Sequence, residues 1–387
     1  MTETTAQHIR WTDHEGQPQS ARWRSLAGHP APEHVEVVGD DTSADQALKW
    51  LRQGTGLLWV GDYQNARHLL QALGRRLETA PRPAAPAKAP APAALRDAFL
   101  AQRVAQARRA RLLGLLLLPF DGDHSVPLRR APDVRAAGLA AHGRASKHYV
   151  QSLRELLGLV GAHEWRKKGV PIPALQARIH PHHGVFSPVR GEYVDLVANA
   201  PLPAAAHREG AFDIGTGTGV LAAVLARRNL RVLATDCDER ALACARDNLT
   251  RLKLMPPVTL AKANLWPDGT ARAGLVLCNP PWVPAPAHTG LDAAVYDPDS
   301  RMLRGYLDGL AAHLAPGGEG WLILSDLAEH LGLRSRDELQ GWISAAGLRV
   351  AGRIDTTPQH PKAADTGDAL HAARAAEVTS LWRLVAI

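Results

Sequence analysis

Asn279-Pro280-Pro281-Trp282 is the stretch of this chain best suited to chemistry on a nitrogen. The Asn279 side-chain oxygen and the Pro280 carbonyl can each accept one N–H of an exocyclic amine or amide. That turns the nitrogen lone pair toward an electrophile and raises its electron density. The prolines hold those acceptors rigidly, and Pro281 brings no N–H to compete for them. Trp282 supplies a flat face for a planar base or amide. An electrophile with its own positive charge, such as a methyl group on a sulfonium, needs neither a metal nor a strong base. Positioning and exclusion of water then carry the rate. A plain proline turn after a strand is the alternative, and the glycine-rich stretch upstream weighs against it.

That stretch, Ala-Phe-Asp-Ile-Gly-Thr-Gly-Thr-Gly-Val, runs from Ala211 to Val220. It predicts a buried strand followed by Asp213, then a tight turn through Gly215, Gly217 and Gly219 into a helix. A ligand there lies against bare backbone and meets the free N–H groups of the new helix. Asp236 closes the next strand, where an acidic residue accepts hydrogen bonds from ribose hydroxyls. Nicotinamide and S-adenosylmethionine sites share these features. The Gly-x-Gly-x-Gly spacing, the Asn-Pro-Pro-Trp after the fourth strand, and the lack of a Tyr-x-x-x-Lys pair or hydride-site histidine favour the methyl donor.

The elements that must position these residues alternate. Strands are expected at 231–235, 258–261, 274–278, 320–325 and 348–354, with a last one at 378–387. Helices are expected near 218–228, 239–252, 300–315 and 335–346. This alternation predicts an α/β fold, a Rossmann-like, doubly wound and mostly parallel sheet covered on both faces. Upstream, residues 33–78 read as a small α/β unit with strands at 35–38 and 56–60 and helices at 45–52 and 63–77. Residues 80–94 are almost entirely Pro and Ala, a stiff spacer. A long helix at 95–118 and another at 146–160 follow. The expected organisation is thus a small α/β unit at 1–79, a linker at 80–94, a basic helical segment at 95–183 and a catalytic α/β domain at 184–387.

Charge is uneven. The chain carries a formal +7, and residues 95–180 alone hold 15 Lys and Arg against 6 Asp and Glu. Such a segment suits phosphates, as does the run Glu164-Trp165-Arg166-Lys167-Lys168; a solvated arginine-rich surface is the plainer reading. Cys237, Cys244 and Cys278 have neither disulfide density nor zinc-ligand spacing. His180, His182 and His183 have no fourth ligand at usable spacing, so no metal is expected. The apolar run at 115–120 is far short of a membrane span, and the polar first 20 residues lack the apolar core of a secretion signal. No membrane association and a cytoplasmic location are expected.

Asp-Ile-Gly-Thr-Gly-Thr-Gly, then Asp236, then Cys-Asn-Pro-Pro-Trp resembles the class I S-adenosylmethionine-dependent N-methyltransferases of the small-domain superfamily. That group includes ribosomal RNA guanine-N2 and release-factor glutamine-N5 methyltransferases. The resemblance covers roughly residues 184–325. It implies S-adenosyl-L-methionine as cofactor, with Asp213, Gly215, Gly217 and Gly219, and Thr216 among them, at its methionine part and Asp236 at its ribose. Asn264 stands where relatives carry an acidic residue for the adenine amine. Asn279 would serve both cofactor and acceptor, and Asn279, Pro280, Pro281 and Trp282 form the catalytic set. Gly184-Val185-Phe186-Ser187 resembles the segment opening the domain in the RNA enzymes. Pro188-Val189-Arg190-Gly191-Glu192 is similar to, without matching, a stretch of the glutamine enzymes. Phe186 and Glu192 are therefore candidate acceptor contacts. The resemblance implies methylation of an exocyclic base amine in RNA, ribosomal RNA above all. A protein glutamine amide, and a non-catalytic RNA-binding or assembly factor that retains the fold, are the alternatives.

Overall fold

The computed structural model describes residues 7–78, 92–144, 147–188, 191–287, 292–357 and 370–387. It divides into two units, residues 1–82 with 101–164, and residues 83–100 with 165–387. Most of the Pro/Ala spacer, residues 79–91, lies outside the described residues, as do residues 358–369, ahead of the last expected strand.

In the first unit, β1 (His8–Thr12) and β2 (Pro18–Trp23) form an antiparallel hairpin. β3 (Val35–Val38), α1 (Ala44–Arg52), β4 (Gly56–Trp59) and α2 (Tyr63–Glu78) follow, within a residue or two of expectation. Ser43 caps α1 by accepting the Gln46 N–H. The segment from 95 onward is not the helical one expected. α3 (Pro92–Leu113) ends at Gly114, and the apolar run after it is a buried strand, β5 (Leu116–Phe120). After α4 (Arg135–His142), residues 149–152 form β6 rather than the start of a helix, and α5 (Leu153–Lys168) begins only there. A short continuous apolar run fits a buried strand as well as a buried helix, and pairing across the sheet decided between them. The strands order as β1-β2-β6-β5-β4-β3. Leu57, Trp59, Leu116, Leu118 and Tyr149 fill the core of this unit.

The second unit opens with a hairpin of β7 (Val170–Ile172) and β8 (Ala177–Ile179), then α6 (Glu192–Asn199) and α7 (Ala204–Glu209). The alternating region is β9 (Ala211–Ile214), α8 (Val220–Arg227), β10 (Val232–Asp236), α9 (Glu239–Arg251), β11 (Val258–Lys262) and β12 (Ala273–Cys278). It continues with α10 (Arg301–His313), β13 (Leu314–Ser325), α11 (Leu327–His330), α12 (Arg336–Ala345), β14 (Leu348–Thr356), α13 (His371–Ala375) and β15 (Thr379–Ala386). The sheet order is β11-β10-β9-β12-β13-β15-β14, parallel across the first five and antiparallel at β15. The doubly wound, mostly parallel sheet expected from the alternation is therefore present.

Both faces are covered. Residues 220–226 are buried without exception, so α8 packs centrally against one face; Leu303, Tyr306, Leu307 and Leu310 of α10 cover the other. Two consequences for a site follow from the strand order. The chain winds outward from β9 through β10 to β11, then returns to place β12 on the other side of β9, which opens a crevice at the strands' carboxyl ends. In register, Thr235 and Cys278 flank Ile214. The residues that come next, Asp236, Gly215 and Asn279, therefore leave the sheet along one edge.

Candidate active site

That edge is the floor of a cleft of about 950 Å³. Its wall takes in Phe186, Gly215, Thr216, Gly217, Asp236, Asn264 and the whole Asn279–Trp282 run, so most of the residues singled out from the sequence meet in one place. Asp213, Gly219 and Glu192 are not on that wall.

The glycine turn is held from beneath. Asp213 is 1% exposed, and its Oδ2 accepts the Thr216 hydroxyl at 2.6 Å and the Ala222 N–H at 3.1 Å. Burial pushes its carboxyl up to about 6, against the pull of the Thr216 hydrogen bond. Asp213 thus braces the turn from behind instead of lining the ligand space. Gly219 plays a similar part. Its φ is 80°, and a Cβ there would come within 3.1 Å of the Ala245 Cβ, so only glycine lets α8 and α9 pack this closely. Gly217 faces the cleft, and an added Cβ would meet no protein atom within 4 Å; it would occupy ligand space. The Gly217 N–H donates to Asp236 Oδ2 at 3.0 Å, and the Asp238 N–H to Asp236 Oδ1 at 2.9 Å. Both Asp236 oxygens are thereby fixed with lone pairs to spare for hydroxyl donors. Burial raises the Asp236 carboxyl above its ordinary value.

At the other end of the floor, the Trp282 indole N–H donates to Asn279 Oδ1 at 2.8 Å. Tyr193, on α6, meets the Trp282 ring edge-on, with centroids 6.3 Å apart and planes at 88°. Tyr193 is fully enclosed, and burial pushes its hydroxyl well up.

The histidines have structural employment. The His180 N–H donates to Asn248 Oδ1 at 2.7 Å, His182 Nε2 lies 3.1 Å from Asp247 Oδ2, and the His182 N–H donates to Cys244 Sγ at 3.3 Å. Val185 packs on Ala241 and Cys244. Residues 180–186 are thus a strap riveted to α9, and the strap carries Phe186 into the cleft. Burial holds the His182 ring below its ordinary value, although Asp247 pulls the other way, and pushes the Cys244 thiol up to about 11. Among the described residues no group of three or more His, Cys, Asp or Glu is placed to hold a metal ion.

Sequence reasoning missed two groups. Asn248 is 1% exposed, and its Nδ2 donates to the Thr218 carbonyl at 3.0 Å while its Oδ1 holds the strap. One carboxamide therefore ties the glycine turn to the strap. The second group widens the cleft beyond Trp282: Phe99, Val283, Tyr296, Leu331 and Leu370. No local pattern marks these, because they come from five separate segments.

Residues 176–334 match the family model described as methyltransferase small domain. The cofactor of that family is S-adenosylmethionine. Among curated proteins, the release factor glutamine methyltransferase of Moorella thermoacetica is 38% identical over 115 residues, 28% of this chain and 41% of the relative. The ribosomal protein L11 methyltransferase of a Chelativorans species is 32% identical over 209 residues, 54% of this chain and 61% of the relative. The chain thus spans about two fifths to three fifths of the length of these relatives. Among solved structures, a methyltransferase from Pyrococcus furiosus aligns over 60% of this chain and 99% of its own, with 20% identity and a TM-score of 0.40. The cleft fits that cofactor on its own terms. It offers a bare glycine surface at Gly217, a fixed carboxylate at Asp236 and an amide at Asn264, in a volume of the right order for a drug-sized ligand.

Proposed function

We propose that this chain is an S-adenosylmethionine-dependent N-methyltransferase whose acceptor is a protein side-chain nitrogen, a glutamine amide in particular. The observation that carries the reading is the Asn279 oxygen, fixed on the floor of the cleft beside the Pro280 carbonyl and Trp282. When bound, the cofactor supplies a methyl group on a positively charged sulfur. Asp236 and Asn264 hold its polar parts, and the strap with Phe186 excludes water. Asn279 Oδ1 and the Pro280 carbonyl accept the two N–H groups of a primary amide and so present the nitrogen's remaining electron pair. The nitrogen sheds its surplus proton to water once the bond has formed.

Two observations favour a protein acceptor over the RNA base implied by the motif resemblance. The named relatives act on a release factor and on ribosomal protein L11. Among the described residues, the arginines on the cleft wall are also already engaged. Arg240 is paired with Asp238 at 2.8 Å, Arg301 with Asp299 at 3.3 Å, and Arg374 is engaged as well. The basic 95–180 segment, the basis for expecting RNA, is divided between the two units, and several of its cations are committed. Arg129 and Arg130 both bind Asp62, and Arg166 binds Asp247. A substrate of the translation apparatus implies a cytoplasmic enzyme; no helix among the described residues is long and apolar enough to cross a membrane.

Transfer of a tritiated methyl group to purified release factor, to ribosomal protein L11 and to ribosomal RNA tests the reading. Label that survives nuclease and is released by protease supports it. Label lost to nuclease would move the acceptor back to RNA.

A further inference from the structure

Trp282 lines the cleft and offers its face to an acceptor, but its edge has a second use. The indole nitrogen is a donor and never an acceptor. The group 2.8 Å from it must therefore be the Asn279 oxygen and not the Asn279 amino end. A carboxamide's two ends have almost the same shape, so packing alone discriminates poorly between them. Reversed, Asn279 would point two donors at the incoming N–H and repel it. The tryptophan is itself held in place. It meets Tyr193 edge-on and packs against residues of three separate apolar clusters, so its N–H cannot follow a turning amide. One lone pair of Asn279 Oδ1 receives the indole and the other is left for the acceptor.

We infer that Trp282 is a positioning residue for the transfer: its indole N–H locks the Asn279 oxygen toward the acceptor nitrogen. A phenylalanine ring there keeps an aromatic face and loses the lock. The kinetic consequence rests on the methyl-transfer reading, whereas the lock itself does not, and the two are measured separately.

For the lock, protein labelled with ¹⁵N in its tryptophans and saturated with S-adenosylhomocysteine is examined by NMR. The indole signal that disappears in Trp282→Phe is that of Trp282. In Asn279→Ala this signal is expected to shift and to lose its protection against exchange. A signal unmoved by Asn279→Ala overturns the inference whether or not Trp282→Phe is active. For the consequence, tritiated methyl transfer to purified release factor is measured for wild type and Trp282→Phe. The variant is expected to lose roughly 10- to 100-fold in kcat, with the KM for release factor and the cofactor Kd within about twofold of wild type. An unchanged kcat, or a loss confined to KM, would reduce Trp282 to a stacking surface and overturn the inference. A wild type that leaves release factor unmethylated contradicts the proposed acceptor, and the NMR result still decides the lock.

Discussion

Asp213 and Asp236 show how two carboxylates in one motif take different work. Both were read from the sequence as cofactor contacts, since residue type and spacing reveal that a turn is needed but not which side of it a side chain takes. Burial puts Asp213 under the turn and leaves Asp236 at its lip. The difference has a pH signature. The Asp213 carboxyl is raised from 3.8 to about 6, so the folded state favours its neutral form. Its contribution to stability is full below the unfolded value and is lost as pH rises through 6. Asparagine can place its oxygen where Oδ2 accepts Thr216 and Ala222, and cannot ionise. The stability of Asp213→Asn relative to wild type is therefore expected to improve by about 2–3 kcal/mol between pH 4 and pH 7, read from denaturant unfolding at each pH. A difference that stays flat across that range would show that Asp213 is not ionising in a buried setting.

Between elements, the site depends on α9 as much as on the strand ends. The helix and its boundaries were legible in the sequence, because its apolar positions recur with helical spacing and Asp238 caps it. Its role as the post for both strap and turn was not, because the hydrogen bonds that Asn248 donates to Thr218, 30 positions away, and accepts from His180, 68 positions away, leave no periodic trace. Asn248→Ala leaves the His180 N–H and the Thr218 carbonyl without their partner. We expect a loss of about 2–4 kcal/mol in stability by urea unfolding, together with at least about a tenfold weaker cofactor Kd by calorimetry. Weaker binding without a stability change would mean that Asn248 touches the ligand directly. Neither effect would mean that the turn and strap are held by other contacts.

Across the whole molecule, legibility followed contact distance along the chain. The second unit could be read because each strand is followed by its own helix, and local alternation reports the sheet directly. In the first unit β3 to α2 could be read in the same way, but β5 and β6 could not, because they join a sheet whose other strands end by Trp59. The apolar run of β5, isolated from that context, fits a helix equally well, and the four residues of β6 are too few to show a period. The same error placed the 15 cations of residues 95–180 on one imagined basic segment. With those cations distributed over two units and the cleft's arginines paired, salt should matter little to catalysis. Between about 50 and 200 mM salt, the KM for a protein acceptor is expected to change by less than about tenfold. An RNA held by several phosphates would lose on the order of a thousandfold in affinity over that range. Such a loss would restore RNA as the partner.

Asn279 is the residue on which the proposed transfer depends most. Turnover of Asn279→Ala at saturating S-adenosylmethionine, with tritiated methyl transfer to the acceptor as the readout, tests it most directly. The predicted result is a fall of about a hundredfold or more in a variant that still binds cofactor within about twofold of wild type. Transfer at the wild-type rate would contradict it.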